Sequence, residues 1–407
     1  MDKAQWRYRK TQIRGAEMSH VLPSCFADAV HTRKRVSGLT HSFYRYPARF
    51  SPLFVRAVIE SFTRSGEMVF DPFMGGGTTL VEASALGRRA VGTDINSLSV
   101  FVSKVKTTVL NTRDLTEVRA WGNGVVQNMN LRQKTPRDSE WIQRGYQRNI
   151  SGKNTWPIRK LLEMSLATLD LLSTEHQRRF ARCVLLRTAQ WALDCRKNIP
   201  PAALFRKQFG AYVEEMIVGA KAFSEAVGRG ESNRAVCLHR SAAGIEKERI
   251  FEAVGSPRLI LTSPPYPGVH VLYHRWQIQG RRETPAPYWI AGSLDGDGAS
   301  FYTFGDRKER GLEGYFESAF AAFSSVARIS NEKTAIVQMI AFSDPSWQLP
   351  AYLKTMERAG LVEARMSVMS NAHDSRLWRD VPNRKFYADR KGATMSSREV
   401  VLFHRLA

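Results

Sequence analysis

Cysteine is scarce in this chain: Cys25, Cys183, Cys195 and Cys237 are scattered, with no CxxC pair and no histidine cluster at zinc spacing. That excludes a disulfide framework and a structural metal, and leaves buried free thiols as the reading. Long apolar runs are missing too. No stretch of about eighteen apolar residues occurs, and the start, Met1-Asp2-Lys3-Ala4-Gln5-Trp6-Arg7, lacks the apolar core of a signal peptide. Neither membrane insertion nor secretion is indicated, and a cytoplasmic protein is expected. Acidic residues are outnumbered: Lys+Arg 60 against Asp+Glu 38 gives a net charge of +22. A polyanion is the natural partner of such a chain, because each neutralised phosphate releases counterions and adds affinity independent of sequence. A solvated basic surface and a membrane-surface role are the blander alternatives.

What is present is a globular composition, with 43% hydrophobic residues in 407, long enough for one large α/β domain with an insertion. Residues 1–40 read as a basic arm carrying Arg7, Arg9, Lys10, Arg14 and the triplet Arg33-Lys34-Arg35, with Trp6 and Tyr8 beside Arg7. Those rings either stack on a base or pack on the domain. From Ser51 the spacing of Leu53, Phe54, Val55, Val58, Ile59 and Phe62 after Pro52 predicts a helix closed by Gly66. A strand, Met68-Val69-Phe70, then leads through Asp71 into Gly75-Gly76-Gly77, a helix opening at Thr78-Thr79, and a second strand, Ala90 to Thr93, ending at Asp94. This is a βαβ unit within residues 41–110.

Residues 111–230 exchange strand character for helical periodicity, as in Phe180, Cys183, Leu186, Ala189 and Leu193, with Arg178, Arg179, Arg182 and Arg187 among them. A helical insertion is expected, and it either reads a target or braces the sheet. Alternation resumes over residues 231–407. Strands are predicted at Ala235–Leu238, Leu259–Leu261 and Ala335–Ile340, followed by an antiparallel pair near Val362–Val368 and Val400–Phe403.

Two stretches carry chemistry. The loop Asp71–Thr79, DPFMGGGTT, lacks the lysine of a P-loop and the GxGxxG spacing of a dinucleotide site. It still offers close backbone approach, a helix N-terminus and, at Asp94, a carboxylate suited to two ribose hydroxyls. The bland alternative for Asp94 is a helix N-cap. The second stretch, Ser263-Pro264-Pro265-Tyr266, follows an apolar strand. An exocyclic nucleobase amine is conjugated with its ring and is a poor nucleophile until acceptors engage its hydrogens. The Ser263 hydroxyl and Pro264 carbonyl supply such acceptors, two prolines fix the backbone, and Tyr266 offers a face for an extruded base.

DPFMGGGTT, TSPPY and Tyr46-Pro47-Ala48-Arg49-Phe50 together resemble the amino-methylating DNA methyltransferases, which act on cytosine N4 or adenine N6. The resemblance implies a Rossmann-like methyltransferase fold, with a mostly parallel seven-stranded sheet, a late antiparallel strand pair and a helical insertion. It also implies S-adenosylmethionine as cofactor. Asp71, Phe73, Gly75, Gly77, Thr78 and Thr79 would hold its methionine and ribose parts, Asp94 the ribose, and Tyr46, Pro47 and Phe50 the methionine end. Phe73 or Phe50 would lie near the sulfonium, where an aromatic face attracts a cation. Ser263, Pro264, Pro265 and Tyr266 would be the catalytic tetrapeptide. Apart from the resemblance, His270, Tyr273, His274 and Arg275 after it are candidates to hold DNA, with a structural role as the alternative for each histidine. No metal is implied.

A leading serine favours cytosine N4, whereas aspartate or asparagine is common in adenine-N6 enzymes. Transfer to cytosine C5 is disfavoured, since none of the four cysteines directly follows a proline. The implied partners are DNA and a cognate restriction endonuclease, with no membrane. An adenine-N6 enzyme, an RNA or protein amide methyltransferase, and a nucleic-acid-binding protein with a vestigial site stand as alternatives; the intact glycines, Asp94 and Ser263 speak against the last. Two departures are plain. His239-Arg240-Ser241 stands where the family often has an acidic residue, and the insertion precedes the tetrapeptide.

Overall fold

A computed structural model describes residues 25–32, 36–46, 50–134, 139–228, 235–268, 275–280, 282–296, 304, 309–365, 374, 376–381 and 397–407. Helix α1 (Cys25–His31) precedes α2 (Pro52–Phe62), whose apolar side chains at 54, 55, 58, 59 and 62 are all buried. Then come β1 (Met68–Asp71), α3 (Thr78–Ala85), β2 (Arg89–Asp94) and α4 (Ser97–Lys106). Five helices follow: α5 (Thr112–Asn128), α6 (Ser139–Gln143), α7 (Trp156–Leu166), α8 (Glu175–Leu193) and α9 (Ala202–Val227). The chain returns through β3 (Val236–His239), α10 (Arg249–Val254) and β4 (Leu259–Thr262). Beyond them lie β5 (Trp276–Ile278), β6 (Arg282–Thr284), α11 (Ala286–Ala291), α12 (Glu309–Ile329), β7 (Ala335–Ala341), α13 (Pro345–Arg358), β8 (Leu361–Glu363), β9 (Leu377–Val381) and β10 (Ser397–Leu406).

The sheet runs β3-β2-β1-β4-β7-β10-β8, seven strands in one path, with β9 added beside β10. β3, β2, β1, β4 and β7 are parallel, and β10 runs antiparallel to β7, β8 and β9. The expected antiparallel pair is therefore β8 with β10, and the fold is the mostly parallel, Rossmann-like one. β10 is long enough for its start to pair with β9 and its end with β8 on the same side. β5 and β6 form a separate small hairpin.

Alternation along the strands explains the two-faced burial. Val69, Leu259, Leu261, Val337, Met339, Val401 and Phe403 point to one face, with α1 and α2. Phe70, Ile260, Ile336, Ile340, Val400 and Leu402 point to the other, with Phe251 of α10, Phe323 of α12 and Tyr352 of α13. Each such fully buried side chain contributes roughly 1.5–3 kcal/mol.

A third cluster fills the helices after residue 111. It is not closed on itself, because Leu98 and Phe101 of α4, Trp276 and Ile278 of β5, and Tyr288 and Trp289 of α11 belong to it. Capping boxes start two of its helices, Asn111 with Asp114 at α5 and Thr174 with Gln177 at α8. Part of the segment read as a basic arm is packed: Phe26 and Val30 of α1 are buried, and the Phe26 ring lies 6.1 Å from Phe54 and 6.2 Å from Phe403. Trp6, Tyr8, Arg7, Arg9, Lys10, Arg14 and the triplet Arg33-Lys34-Arg35 lie outside the described residues.

The chain builds β1, β2 and β3 outward to one side, then returns to place β4 on the other side of β1. The order reverses between β1 and β4. A crevice opens at the carboxyl ends of strands flanking such a reversal.

Candidate active site

Three adjacent strand ends carry the residues singled out in the sequence, and side chains tie them together. Asp71 closes β1 and is buried; its Oδ1 accepts from the Thr262 hydroxyl at the end of β4, 2.7 Å away, and from the Phe73 amide at 3.1 Å. Asp94 closes β2. Its Oδ2 accepts from the Gly75 amide at 2.9 Å and its Oδ1 from the Asn96 amide at 2.8 Å. The N-cap of α4 is Asn96, whose side chain accepts from the Leu98 amide. Asp94 instead spans the glycine loop and that cap.

Burial pushes both carboxyls up to about 6. The Thr79 and Thr262 hydroxyls and the Phe73 amide pull Asp71 the other way; the Asn96 and Gly75 amides and the Ser99 hydroxyl do the same for Asp94.

The glycine run has local steric reasons. Gly77 has a φ of +72°, and a Cβ there would lie 2.6 Å from Ser103 Oγ; at Gly76 it would lie 2.8 Å from the Tyr46 Cβ. Tyr46 thus lies directly on the loop, and its hydroxyl accepts from Ser99 Oγ at 2.7 Å. Beneath it, the buried Lys106 donates from Nζ to the Gly76 carbonyl at 2.8 Å, and Ser103 donates to the Gly75 carbonyl at 3.2 Å. Lys106 and Ser99 went unnoticed in the sequence because nothing in a helix pattern marks which polar side chain turns toward a distant loop.

Thr78 and Thr79 are buried at the start of α3. Phe73 is half-buried, edge-on to Phe304 at 5.4 Å. Phe50 is buried in the core with its ring 5.7 Å from Phe54, so its visible role is packing. Pro47 lies outside the described residues.

Ser263 follows β4 directly. Pro264 is buried, and Ser263, Pro265 and Tyr266 are half-buried. The Ser263 hydroxyl donates to Tyr266 Oη at 3.1 Å, and Tyr266 Oη donates to Glu399 Oε1 of β10 at 2.9 Å. The Pro265 carbonyl accepts from the Tyr315 hydroxyl of α12 at 2.8 Å. Gly268, at φ +69°, ends the turn where a Cβ would meet Ser343 Oγ at 2.5 Å.

Of the residues expected near DNA, His270, Tyr273 and His274 lie outside the described residues, and Arg275 is ion-paired with Asp295 at 2.8 Å. Four arginines of the insertion singled out in the sequence have partners within the chain. Arg178 and Arg179 face Glu175, Arg182 donates to the Ile290 carbonyl, and Arg187 pairs with Glu215 at 2.7 Å while covering the Tyr212 ring.

The loop fits a nucleoside-bearing donor. A carboxylate offers roughly four acceptor directions, and the two amides take one on each oxygen of Asp94. The Ser99 hydroxyl also engages the carboxylate, and the capacity that remains faces a ligand hydroxyl beside the N-terminus of α3. Among the described residues, no group of three or more His, Cys, Asp or Glu could hold a metal, and no helix is long and apolar enough to cross a membrane.

Residues 1–102 match the family model for N6/N4 DNA methylases. The chain is 45% identical over 73 residues to the type II methyltransferase M.MvaI of Kocuria varians, covering 17% of this chain and 16% of that protein. It is 33% identical over 66 residues to the type II methyltransferase M.MjaII of Methanocaldococcus jannaschii, covering 16% and 12%. The similarity thus spans less than a fifth of the relatives' own length. Against solved structures, the rRNA methyltransferase aviRa of Streptomyces viridochromogenes aligns over 96% of both chains at 8% identity with a TM-score of 0.32, which adds nothing to the strand order above.

Proposed function

We propose that this chain, related by sequence to the amino-methylating DNA methyltransferases, moves a methyl group from S-adenosylmethionine to the N4 amine of cytosine in DNA. It would act site-specifically, as the methylating partner of a restriction endonuclease. The observation that carries the reading is the bond from Thr262 to Asp71, 2.7 Å. It fastens the tetrapeptide's strand to the strand that launches the glycine loop, so both stretches leave from the carboxyl ends of neighbouring strands.

S-adenosylmethionine supplies, when bound, an electrophilic methyl group on a sulfonium. The protein's own work is positioning and electrostatics. Asp94 accepts from the ribose hydroxyls while its other lone pairs hold Gly75, and Tyr46 covers the loop. Ser263 Oγ and the Pro264 carbonyl would accept hydrogen bonds from the two amine N–H groups, which draws the nitrogen toward tetrahedral geometry and frees its lone pair; as the N–C bond forms, the donor's S–C bond breaks to leave a neutral thioether, and the surplus amine proton passes to solvent. The excess of basic residues supports a nucleic-acid substrate. The serine that leads the tetrapeptide supports cytosine N4 over adenine N6.

The direct test is expression in a host without DNA modification, followed by digestion of the DNA and mass analysis of its nucleosides. N4-methylcytosine is expected. N6-methyladenine would move the assignment to the other base, and unmodified DNA from a folded, cofactor-binding protein would overturn the reading.

The raised carboxyls set a pH dependence. A carboxyl whose folded value stands at about 6 against 3.8 unfolded holds its proton more tightly in the native state. Its contribution to stability is present below about 3.8 and is lost as pH rises through about 6. Ribose hydroxyls bond best to ionised Asp94, so cofactor affinity is expected to rise about tenfold per pH unit up to about 6 and then level off. Titration calorimetry between pH 5 and 8 reads this for wild type and Asp94→Asn; a pH dependence that is the same in both would remove Asp94 from the ribose site.

A further inference from the structure

The tetrapeptide's hydroxyls end on a buried acid that the sequence did not mark. Glu399 is 2% exposed and lies in β10 between two neighbours, paired with Ala341 of β7 and Arg379 of β9. Its Oε2 accepts from Arg379 Nε at 2.7 Å and from a terminal guanidinium nitrogen at 2.6 Å, while its Oε1 accepts from Tyr266 at 2.9 Å. Ladder and guanidinium together fix where that oxygen points.

We propose that Glu399 is a positioning residue for methyl transfer, which sets the direction of the Ser263–Tyr266 hydrogen bond so that Ser263 faces the target amine as an acceptor. The inference rests on the methyl-transfer reading above and deepens it. A hydroxyl has one proton, and a pair of hydroxyls can be bonded in either sense. A carboxylate paired with arginine has no proton to give, so Tyr266 must donate to it. With its proton committed there, Tyr266 can only accept from Ser263. The Ser263 proton is then turned inward, and the lone pairs left on its Oγ are those an amine N–H needs.

An amide at position 399 would undo this without changing shape. Arg379 would claim the amide oxygen, leaving the NH2 toward Tyr266. Tyr266 would accept from it and donate to Ser263, whose own proton would then point at the amine as a competing donor.

The test compares wild type, Glu399→Gln, Tyr266→Phe and the double variant, with kcat, KM for S-adenosylmethionine, DNA affinity and thermal midpoint measured for each. Glu399→Gln is expected to lower kcat about tenfold to a hundredfold, the scale of a hydrogen bond to a charged group, with KM and DNA affinity within about twofold. Tyr266→Phe should cost a comparable factor, and the double variant no more than the worse single one, since both break one chain. Losses that multiply, or full kcat in Glu399→Gln, would overturn the proposal. If Glu399→Gln does not fold, Tyr266→Phe decides by itself, and full kcat in it would overturn the proposal.

A readout without turnover separates this inference from the methyl-transfer reading. With tyrosines carbon-13 labelled at Cζ and Tyr266 assigned by its loss in Tyr266→Phe, the Cζ signal should move in Glu399→Gln as the hydroxyl changes from donor to acceptor. An unmoved signal overturns the proposal. Absence of methylated base with wild-type protein would count against the methyl-transfer reading instead.

Discussion

Replacing Ser263 and Pro264 together with alanine is expected to lower methyl transfer about a thousandfold while cofactor affinity stays within about threefold. The size follows from what is removed. On the proposed reading the serine hydroxyl would be one of two acceptors for the amine, and a bond that strengthens as charge develops is worth roughly 10²–10³ in rate. Alanine at 264 keeps a carbonyl but adds an N–H and frees φ, so the second acceptor loses its fixed direction. Cofactor affinity is spared because the glycine loop is held from elsewhere, by Asp94 on Gly75 and by Lys106 on Gly76. The only described side-chain link from β4 to that loop's base is Thr262 to Asp71, which the substitution leaves intact. Tritium transfer from labelled donor to unmethylated DNA gives the rate, and titration calorimetry gives the affinity. Activity within tenfold of wild type would remove the tetrapeptide from the chemistry; a collapse in cofactor affinity would show that it supports the loop instead.

The parts of this site that were legible before the structure are those governed by local rules. The apolar run before Ser263, the proline at the start of α2 and the glycine turn between β1 and α3 each follow from a few neighbouring residues, and each formed where its pattern placed it. The strand reversal beside β1 became visible only in the sheet order. What stayed hidden depends on partners far along the chain. Glu399 reads as a charged residue at a strand start, ordinarily solvated. It is buried because Arg379 and Tyr266, 20 and 133 positions away, meet it. Lys106 likewise reads as the basic last turn of α4 and is instead a buried donor to the loop.

The β5–β6 hairpin and α11 were missed because each is short, and their burial comes from the helices of residues 111–227. The same cause accounts for α1, whose Phe26 gains its place only from Phe54 and Phe403. Phe50 was singled out for its aromatic face, and what only the structure adds is its packing beside Phe54 of α2.

Asp94→Ala is expected to weaken S-adenosylmethionine binding about a hundredfold. Two ribose hydroxyls bonded to a carboxylate are worth about 1.5–3 kcal/mol each at full burial; Asp94 is only partly buried, so solvent reduces that sum. The loss has a second source, because the Gly75 amide loses its acceptor and the loop loses the tie that holds it against β2. Asp94→Asn separates the two. Its single oxygen serves one of the two amides, and its NH2 then faces the other donor, so the loop should loosen nearly as much as with alanine. Folding stability at pH 7 should change less than affinity. Removing a carboxyl that burial raises to about 6 relieves an ionisation cost, and that relief offsets part of the cost of the orphaned amides.

Saturating donor should therefore restore most of kcat in Asp94→Ala, whereas no donor concentration should rescue the Ser263–Pro264 variant. Initial rates over a wide range of S-adenosylmethionine distinguish the two. A fall in kcat for Asp94→Ala with KM unchanged would mean that β2 ends at the reacting atoms and not at the ribose.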